Sequence, residues 1–224
     1  MKEMGAVVVL SGGMDSATLL FWAAKRYKNL SAISVNYGQR HSKELDCAKK
    51  LCELIGVPIS VVDLSAIKSL LVGNALTDDV EVPEGHYASP TMKQTVVPNR
   101  NMLLLSVALC SACVEGARFV LYGAHFGDHP IYPDCRKEFV DALDKAARLC
   151  WYQEIKIEAP FVEKTKTDVA KLGNDLGVPF EHTWSCYNGR ALHCGKCGTC
   201  VERREAFMLA EVKDPTEYET EDRQ

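Results

Sequence analysis

Two stretches of this 224-residue chain hold side chains whose types and spacing suit chemistry. The first is Ser11-Gly12-Gly13-Met14-Asp15-Ser16. Paired glycines let a backbone come close to a ligand and take dihedrals closed to other residues. Successive backbone N–H groups at the start of a helix make an anion site, and phosphate is its usual occupant. The hydroxyls of Ser11 and Ser16 add donors. Asp15 is the odd member, because a carboxylate repels phosphate. It suits a Mg²⁺ ligand or a cap on the first-turn amides. No Lys-Ser/Thr pair follows the glycines, and no third glycine completes G-x-G-x-x-G, so neither of the two commonest nucleotide loops is present. A glycine turn capped by Ser and Asp is the alternative reading.

The second stretch is Cys186, Cys194, Cys197 and Cys200, spaced C-x7-C-x2-C-x2-C. Four thiolates complete a tetrahedral Zn²⁺ site, and a closed four-sulfur site is structural, with no open position for substrate. Gly195 and Gly198 each follow a cysteine, as a chain turning tightly around an ion requires. An iron–sulfur cluster and unliganded thiols are the alternatives, and His193 is a possible replacement ligand. The remaining six of ten cysteines (Cys47, Cys52, Cys110, Cys113, Cys135 and Cys150) are read as small core residues.

The elements that must position these groups follow from hydropathy. Short β-branched runs at 5–10, 32–37, 59–64, 119–123 and 155–159 read as strands. Helices are expected from the glycine loop to about Lys28, over 42–55, over 99–115 with Leu103, Val107, Cys110 and Val114 inward, over 133–150, over 165–176, and from Val201 to Ala210. Residues 65–98 read as a loop or lid. Alternating strands and helices predict a Rossmann-like parallel sheet with helices on both faces, over residues 1–180, and a small cysteine-bearing segment over 181–224. The ligand crevice of such a sheet lies at the carboxyl ends of its strands. That places weight on residues 11–16, 37–41 and 123–136.

Composition narrows the function classes. Apolar residues make up 47% and charged residues 25%, as in ordinary globular proteins. A net charge of −4 gives no general attraction for nucleic acid or anionic membranes. No apolar stretch is long enough to span a bilayer, and Met1 to Leu10 lacks the features of a signal peptide. A cytoplasmic protein is expected, with neither nucleic acid nor membrane as partner.

Ser-Gly-Gly-x-Asp-Ser resembles the PP-loop of ATP pyrophosphatases. Further strings resemble one PP-loop family, the 7-cyano-7-deazaguanine synthases of queuosine biosynthesis. They are Tyr37-Gly38-Gln39-Arg40-His41, Val97-Pro98-Asn99-Arg100-Asn101, the run from Tyr132 to Phe139 (Tyr-Pro-Asp-Cys-Arg-Lys-Glu-Phe), and Cys186-Tyr187-Asn188-Gly189 leading into the cysteine triplet. The likeness covers nearly the whole chain. Two positions depart from it: Asn99 stands where the family usually has Gly, and His125-Phe126-Gly127-Asp128-His129 where it usually has a Glu-Thr-Asp segment.

The resemblance implies a PP-loop ATPase fold and an enzyme using ATP, Mg²⁺ and Zn²⁺. It implies nucleotide contacts from Leu10, Ser11, Gly12, Gly13, Met14, Asp15, Ser16, Tyr37, Gln39, Arg40 and His41. Catalytic roles would fall to Asp15, Arg100, Asp134, Arg136 and Lys164, with Tyr132 available to stack on a purine-like ring. The implied reaction turns 7-carboxy-7-deazaguanine and ammonia into the nitrile through an adenylate and an amide, in a homodimer. A relative stopping at the amide or using another amine, and a tRNA-thiolating enzyme, are the alternatives. His125, Asp128 and His129 are read as surface polar groups more readily than as metal ligands.

Overall fold

In the computed structural model, which describes residues 3–87 and 89–219, the expected apolar runs form five parallel strands. They are β1 (Ala6–Val9), β2 (Leu30–Asn36), β3 (Ile59–Asp63), β4 (Phe119–Leu121) and β5 (Lys156–Glu158), ordered β3-β2-β1-β4-β5. The helices are α1 (Met14–Ala24), α2 (Lys43–Ile55), α3 (Arg100–Glu115), α4 (Lys137–Ala147), α5 (Lys166–Asp175) and α6 (Gly198–Leu209). The chain runs outward from β1 through β2 to β3, then returns to place β4 on the other side of β1. That reversal is the switch point at which open α/β sheets bind ligands, and the loop at Ser11–Ser16 leaves the sheet there.

Alternation along β1 divides the core. Ala6 and Val8 face Leu19, Leu20, Leu51, Val169, Ala206 and Phe207. Val7 faces the other way, with Leu105, Ala108, Ala112, Val140 and Leu143. Helices therefore cover both sheet faces, and central strands buried on both sides need the continuous apolar runs seen in the sequence. α6 shares the first of these cores through Ala206 and Phe207, while the cysteines form a small cluster of their own with Val82 and Trp184.

Several expectations need correcting. α3 buries Asn101, Leu105, Ala108 and Ala112, the face opposite the expected stripe, and leaves Val114 89% exposed. Nearly every position from Met102 to Leu109 is apolar, so periodicity does not single out a face; the alanines allow close approach to the sheet. Cys110 and Cys150 are exposed and are not core residues. The expected helix over 133–150 is interrupted: Pro133–Cys135 form a 3-10 turn, Arg136 is extended, and α4 follows. Residues 65–98 include two 3-10 helices, Ser65–Leu70 and Pro90–Thr95, and bury Leu71, Leu76 and Met92. Asn74 holds this region together, accepting from the Leu76 and Thr77 amides at 3.0 and 3.1 Å.

Candidate active site

The glycine loop is shaped by a close approach. Gly12 has φ +96°, and a Cβ there would lie 2.0 Å from the Glu44 carbonyl oxygen of α2. Only glycine fits both conditions. Ser16 Oγ accepts from the Ser11 and Gly12 amides at 3.2 Å each, and Ser11 Oγ accepts from Gly13 at 3.2 Å. The two hydroxyls thus brace the loop. The helical ladder begins with the Ala17 amide bonding to Gly13. The amides of Met14, Asp15 and Ser16 precede it, and such first-turn groups are the ones a helix offers to an anion.

Asp15 does not cap the helix, and most of its side chain is buried. Its Oδ2 accepts from Lys166 Nζ at 2.6 Å, and its Oδ1 is buried without a partner. Lys166 also lies 3.3 Å from Glu202 and 3.2 Å from His125 Nε2. Burial alone would raise the Asp15 carboxyl, but Lys166 and His125 beside it hold it below its ordinary value. Burial opposes the charge on Lys166, yet Asp15 and Glu202 keep its pKa above that of an ordinary lysine. Burial pushes Glu202 up despite Lys166. Asp15 is the nearer partner and the one held as a carboxylate.

The loop after β4 differs from the surface patch expected of it. His125 is 1% exposed. Its Nδ1 accepts from the Gly127 amide at 3.1 Å, and Asp128 closes the capping box by accepting from the His125 amide at 3.4 Å. Its Nε2 lies 3.2 Å from Lys166 Nζ, 3.8 Å from Asp15 Oδ1 and 3.5 Å from Asp128 Oδ2. Asp128 also accepts from the Tyr87 hydroxyl at 3.0 Å.

Asp15, Lys166, Glu202, Asp128 and Tyr87 border one cavity of about 220 Å³ at the switch point, and His125 touches this group without lining the cavity. Leu10, Ser11, Gly13, Met14, Asp15, Ser16, Tyr37, Gln39 and Arg100 all line it. Gly12 supports it from behind. Tyr132 lines it with its hydroxyl fixed to Thr95 at 2.7 Å and Tyr187 at 3.2 Å. Arg40 and His41 stand one layer out, around a side lobe; Arg40 donates to the Val80 carbonyl at 2.7 Å.

Three expected residues lie elsewhere. Asp134 accepts from the Asn101 amide at 3.1 Å and so anchors the start of α3. Arg136 is exposed and donates to the His129 carbonyl at 2.9 Å. Lys164 is exposed. Thr165 and Asp168 form a capping box, so α5 begins at Lys166, and Lys166 rather than Lys164 reaches the cavity. That box, Thr-Lys-Thr-Asp, was the sequence signal for Lys166. Glu44, His125 and Glu202 were also missed as site residues. Glu202 falls on the buried stripe of α6 with Arg203, Ala206 and Phe207, a spacing the sequence does show.

Cys186, Cys194, Cys197 and Cys200 are all buried, and their sulfurs lie within 4.8 Å of one another. Among the described residues no other group of three or more His, Cys, Asp or Glu side chains gathers in this way. Four converging soft donors fit a metal ion. His193 is not among them: its Nε2 accepts from the Ser185 amide at 3.1 Å, and its ring lies 4.1 Å from that of Trp184.

The sequence profile of the family described as queuosine biosynthesis protein QueC matches residues 5–211. The 7-cyano-7-deazaguanine synthase of Hahella chejuensis is 51% identical over 96% of this chain and 93% of its own length. That of Caldicellulosiruptor bescii is 54% identical over 97% and 99%. Among solved structures, NMN synthetase from Francisella tularensis superposes with a TM-score of 0.56 at 17% identity, over 94% of this chain and 79% of that one. NH3-dependent NAD synthetase from Campylobacter jejuni gives 0.51 at 13%, over 81% and 68%. These two likenesses concern the fold alone.

Proposed function

The chain belongs to the QueC family of queuosine biosynthesis proteins, and from that membership we propose how its cavity works as an ATP-dependent carbon–nitrogen ligase. The substrates are 7-carboxy-7-deazaguanine, ammonia and ATP, and the product is 7-cyano-7-deazaguanine. A carboxylate is a poor electrophile, because it is anionic and its leaving group would be oxide. Attack of a carboxylate oxygen on the α-phosphate of ATP expels pyrophosphate and makes AMP the leaving group. Ammonia displaces AMP and gives the amide. The amide oxygen attacks a second α-phosphate, and loss of AMP leaves the nitrile.

The observation that carries this reading is the convergence of the first-turn amides of α1, the Asp15–Lys166 pair and Arg100 on one cavity. The amides and Lys166 supply fixed positive potential where phosphate charge develops. Arg100 receives the substrate carboxylate, and Tyr132 and Tyr187 flank the deazapurine ring. The orphaned Asp15 Oδ1 fits a Mg²⁺ ligand. When bound, Mg²⁺ supplies charge neutralisation on the phosphates. Cys135 is the cysteine that lines the cavity, and burial with Asp128 nearby pushes its thiol far up. A thiol held protonated does not serve sulfur transfer, which favours the ligase over the tRNA-thiolating alternative.

In the same proposal, residues 1–180 are the nucleotide-binding unit, and residues 181–224 carry Zn²⁺ on the four cysteines. The protein works in the cytoplasm on small molecules, without nucleic acid, as a homodimer. Among the described residues no helix is long and apolar enough to cross a membrane. Exposed Val114, Leu149, Trp151 and Tyr152 offer apolar surface for a second copy. The test is incubation with ATP, Mg²⁺, ammonium and 7-carboxy-7-deazaguanine. Nitrile with AMP release supports the reading; accumulation of amide, or no AMP, overturns it.

A further inference from the structure

Beside the main cavity lies a side lobe of about 40 Å³. Tyr37, Gln39, Glu44, Arg100 and Tyr187 line both, and Arg40, His41 and Leu76 complete the lobe's lining. By this measure about 10–15 Å³ is enough to hold one water. The lobe therefore has room for ammonia and a few waters. It is polar: Glu44 lines it, with its carboxyl in the field of Arg100 and near Tyr37, and His41, also on its wall, has a buried Nδ1 without a hydrogen-bond partner. It also opens beside Arg100, the group placed here against the substrate carboxylate.

We propose that this lobe is the ammonia site, with Glu44 as the residue that binds ammonium and takes a proton from it. The inference rests on the ligase reading above. Ammonium gives one proton to the Glu44 carboxylate, and the freed lone pair attacks the acyl carbon of the adenylate. The bond from that carbon to the AMP oxygen breaks, and its electron pair leaves with AMP. The new nitrogen sheds a second proton to solvent, giving the neutral amide.

The surroundings suit this task. Burial raises the Glu44 carboxyl to about 7, with Arg100 acting against the rise. The facing groups are Arg100 of α3, Tyr37 at the end of β2, Arg40 and His41 of the following loop, Tyr187, and Cys47 on α2 itself. Above pH 7 the carboxylate is ionised and can accept a proton. Below it, the group is protonated and cannot. Arg100 disfavours a second cation nearby, which helps ammonium lose its proton.

The test is steady-state kinetics of the whole enzyme with ATP, Mg²⁺, 7-carboxy-7-deazaguanine and ammonium chloride. Glu44→Gln is expected to raise the KM for ammonium at least tenfold at pH 7.5, with the KM values for ATP and the acid within twofold. Glu44→Asp should recover part of the loss. At saturating ammonium the wild-type rate should fall below about pH 7, and Glu44→Gln should lack that limb. A changed KM for the acid or ATP with an unchanged ammonium KM overturns the proposal. Leu76→Ala gives an independent check, because a wider lobe should admit methylamine. An N-methyl amide from that variant, at least tenfold above wild type, supports the site; no gain overturns it. Wild-type enzyme that releases no AMP from the acid and ATP would sink the ligase reading itself, a result distinct from any variant effect.

Discussion

Lys166, the first residue of α5, sets its ammonium 2.6 Å from a carboxylate oxygen of Asp15, 151 positions earlier in the glycine loop. The contact joins two segments far apart in sequence at the point where the strand order reverses. Lys166→Met would leave Asp15 and Glu202 buried without their cation. Breaking a buried pair in this way costs about 3–5 kcal/mol, readable as a lowered midpoint in urea, and activity should be lost. The Asp15 carboxyl is held below its ordinary value. Its contribution to stability is therefore complete above the ordinary carboxylate range and is lost as pH falls through the lowered value. Asp15→Asn should flatten that acid limb; an unchanged limb would show that the pair carries no such linkage.

Gly12 is the loop residue least open to change. Gly12→Ala places a methyl 2.0 Å from the Glu44 carbonyl at φ +96°. The backbone conformation alone costs about 1–3 kcal/mol, and the loop must shift away from α2. Activity should fall by at least a hundredfold, while Gly13→Ala, whose Cβ meets nothing closer than 3.5 Å, should be the milder change. Equal effects in a side-by-side assay would contradict this account of the loop.

Asn99 occupies the left-handed region, with φ 55° and ψ 20°, just before α3. Asn is the side chain that tolerates this conformation after Gly, which explains why it can stand where relatives of the resembling family usually have Gly. Asn99→Gly should change stability by less than about 0.5 kcal/mol, and Asn99→Ala should cost about 1 kcal/mol. Chemical denaturation of the two variants decides between this and a role for the Asn amide.

The zinc assignment predicts about one zinc per chain by elemental analysis. Cys197→Ser should remove the metal and lower the melting temperature, because the four buried sulfurs would lose the ion that holds them together. Iron with visible absorbance, or full stability after exhaustive chelation, would count against zinc.

The legible parts of this protein were those written in local order. The apolar runs gave the strands, and the glycines and cysteines marked the loop and the metal-suited cluster, because each depends on neighbours in sequence. The buried charges were not legible in the same way. His125, Glu202 and Lys166 are polar side chains from three distant segments, and only their meeting around Asp15 makes their burial tolerable. The inward face of α3 was hidden for the opposite reason: its apolar residues run around most of the helix. Arg136 and Lys164 looked equivalent to true cavity residues until the extended Arg136 backbone and the Thr165 cap fixed where each helix begins.

In the proposed reaction both carboxyl oxygens of the substrate leave on AMP. Doubly ¹⁸O-labelled 7-carboxy-7-deazaguanine, turned over with ATP, Mg²⁺ and ammonium, tests this by mass spectrometry of the nucleotides. Unlabelled nitrile and two molecules of AMP per nitrile, each carrying one ¹⁸O, are expected. Label in inorganic phosphate with ADP as the nucleotide product, or label retained in an amide end product, would contradict that reaction.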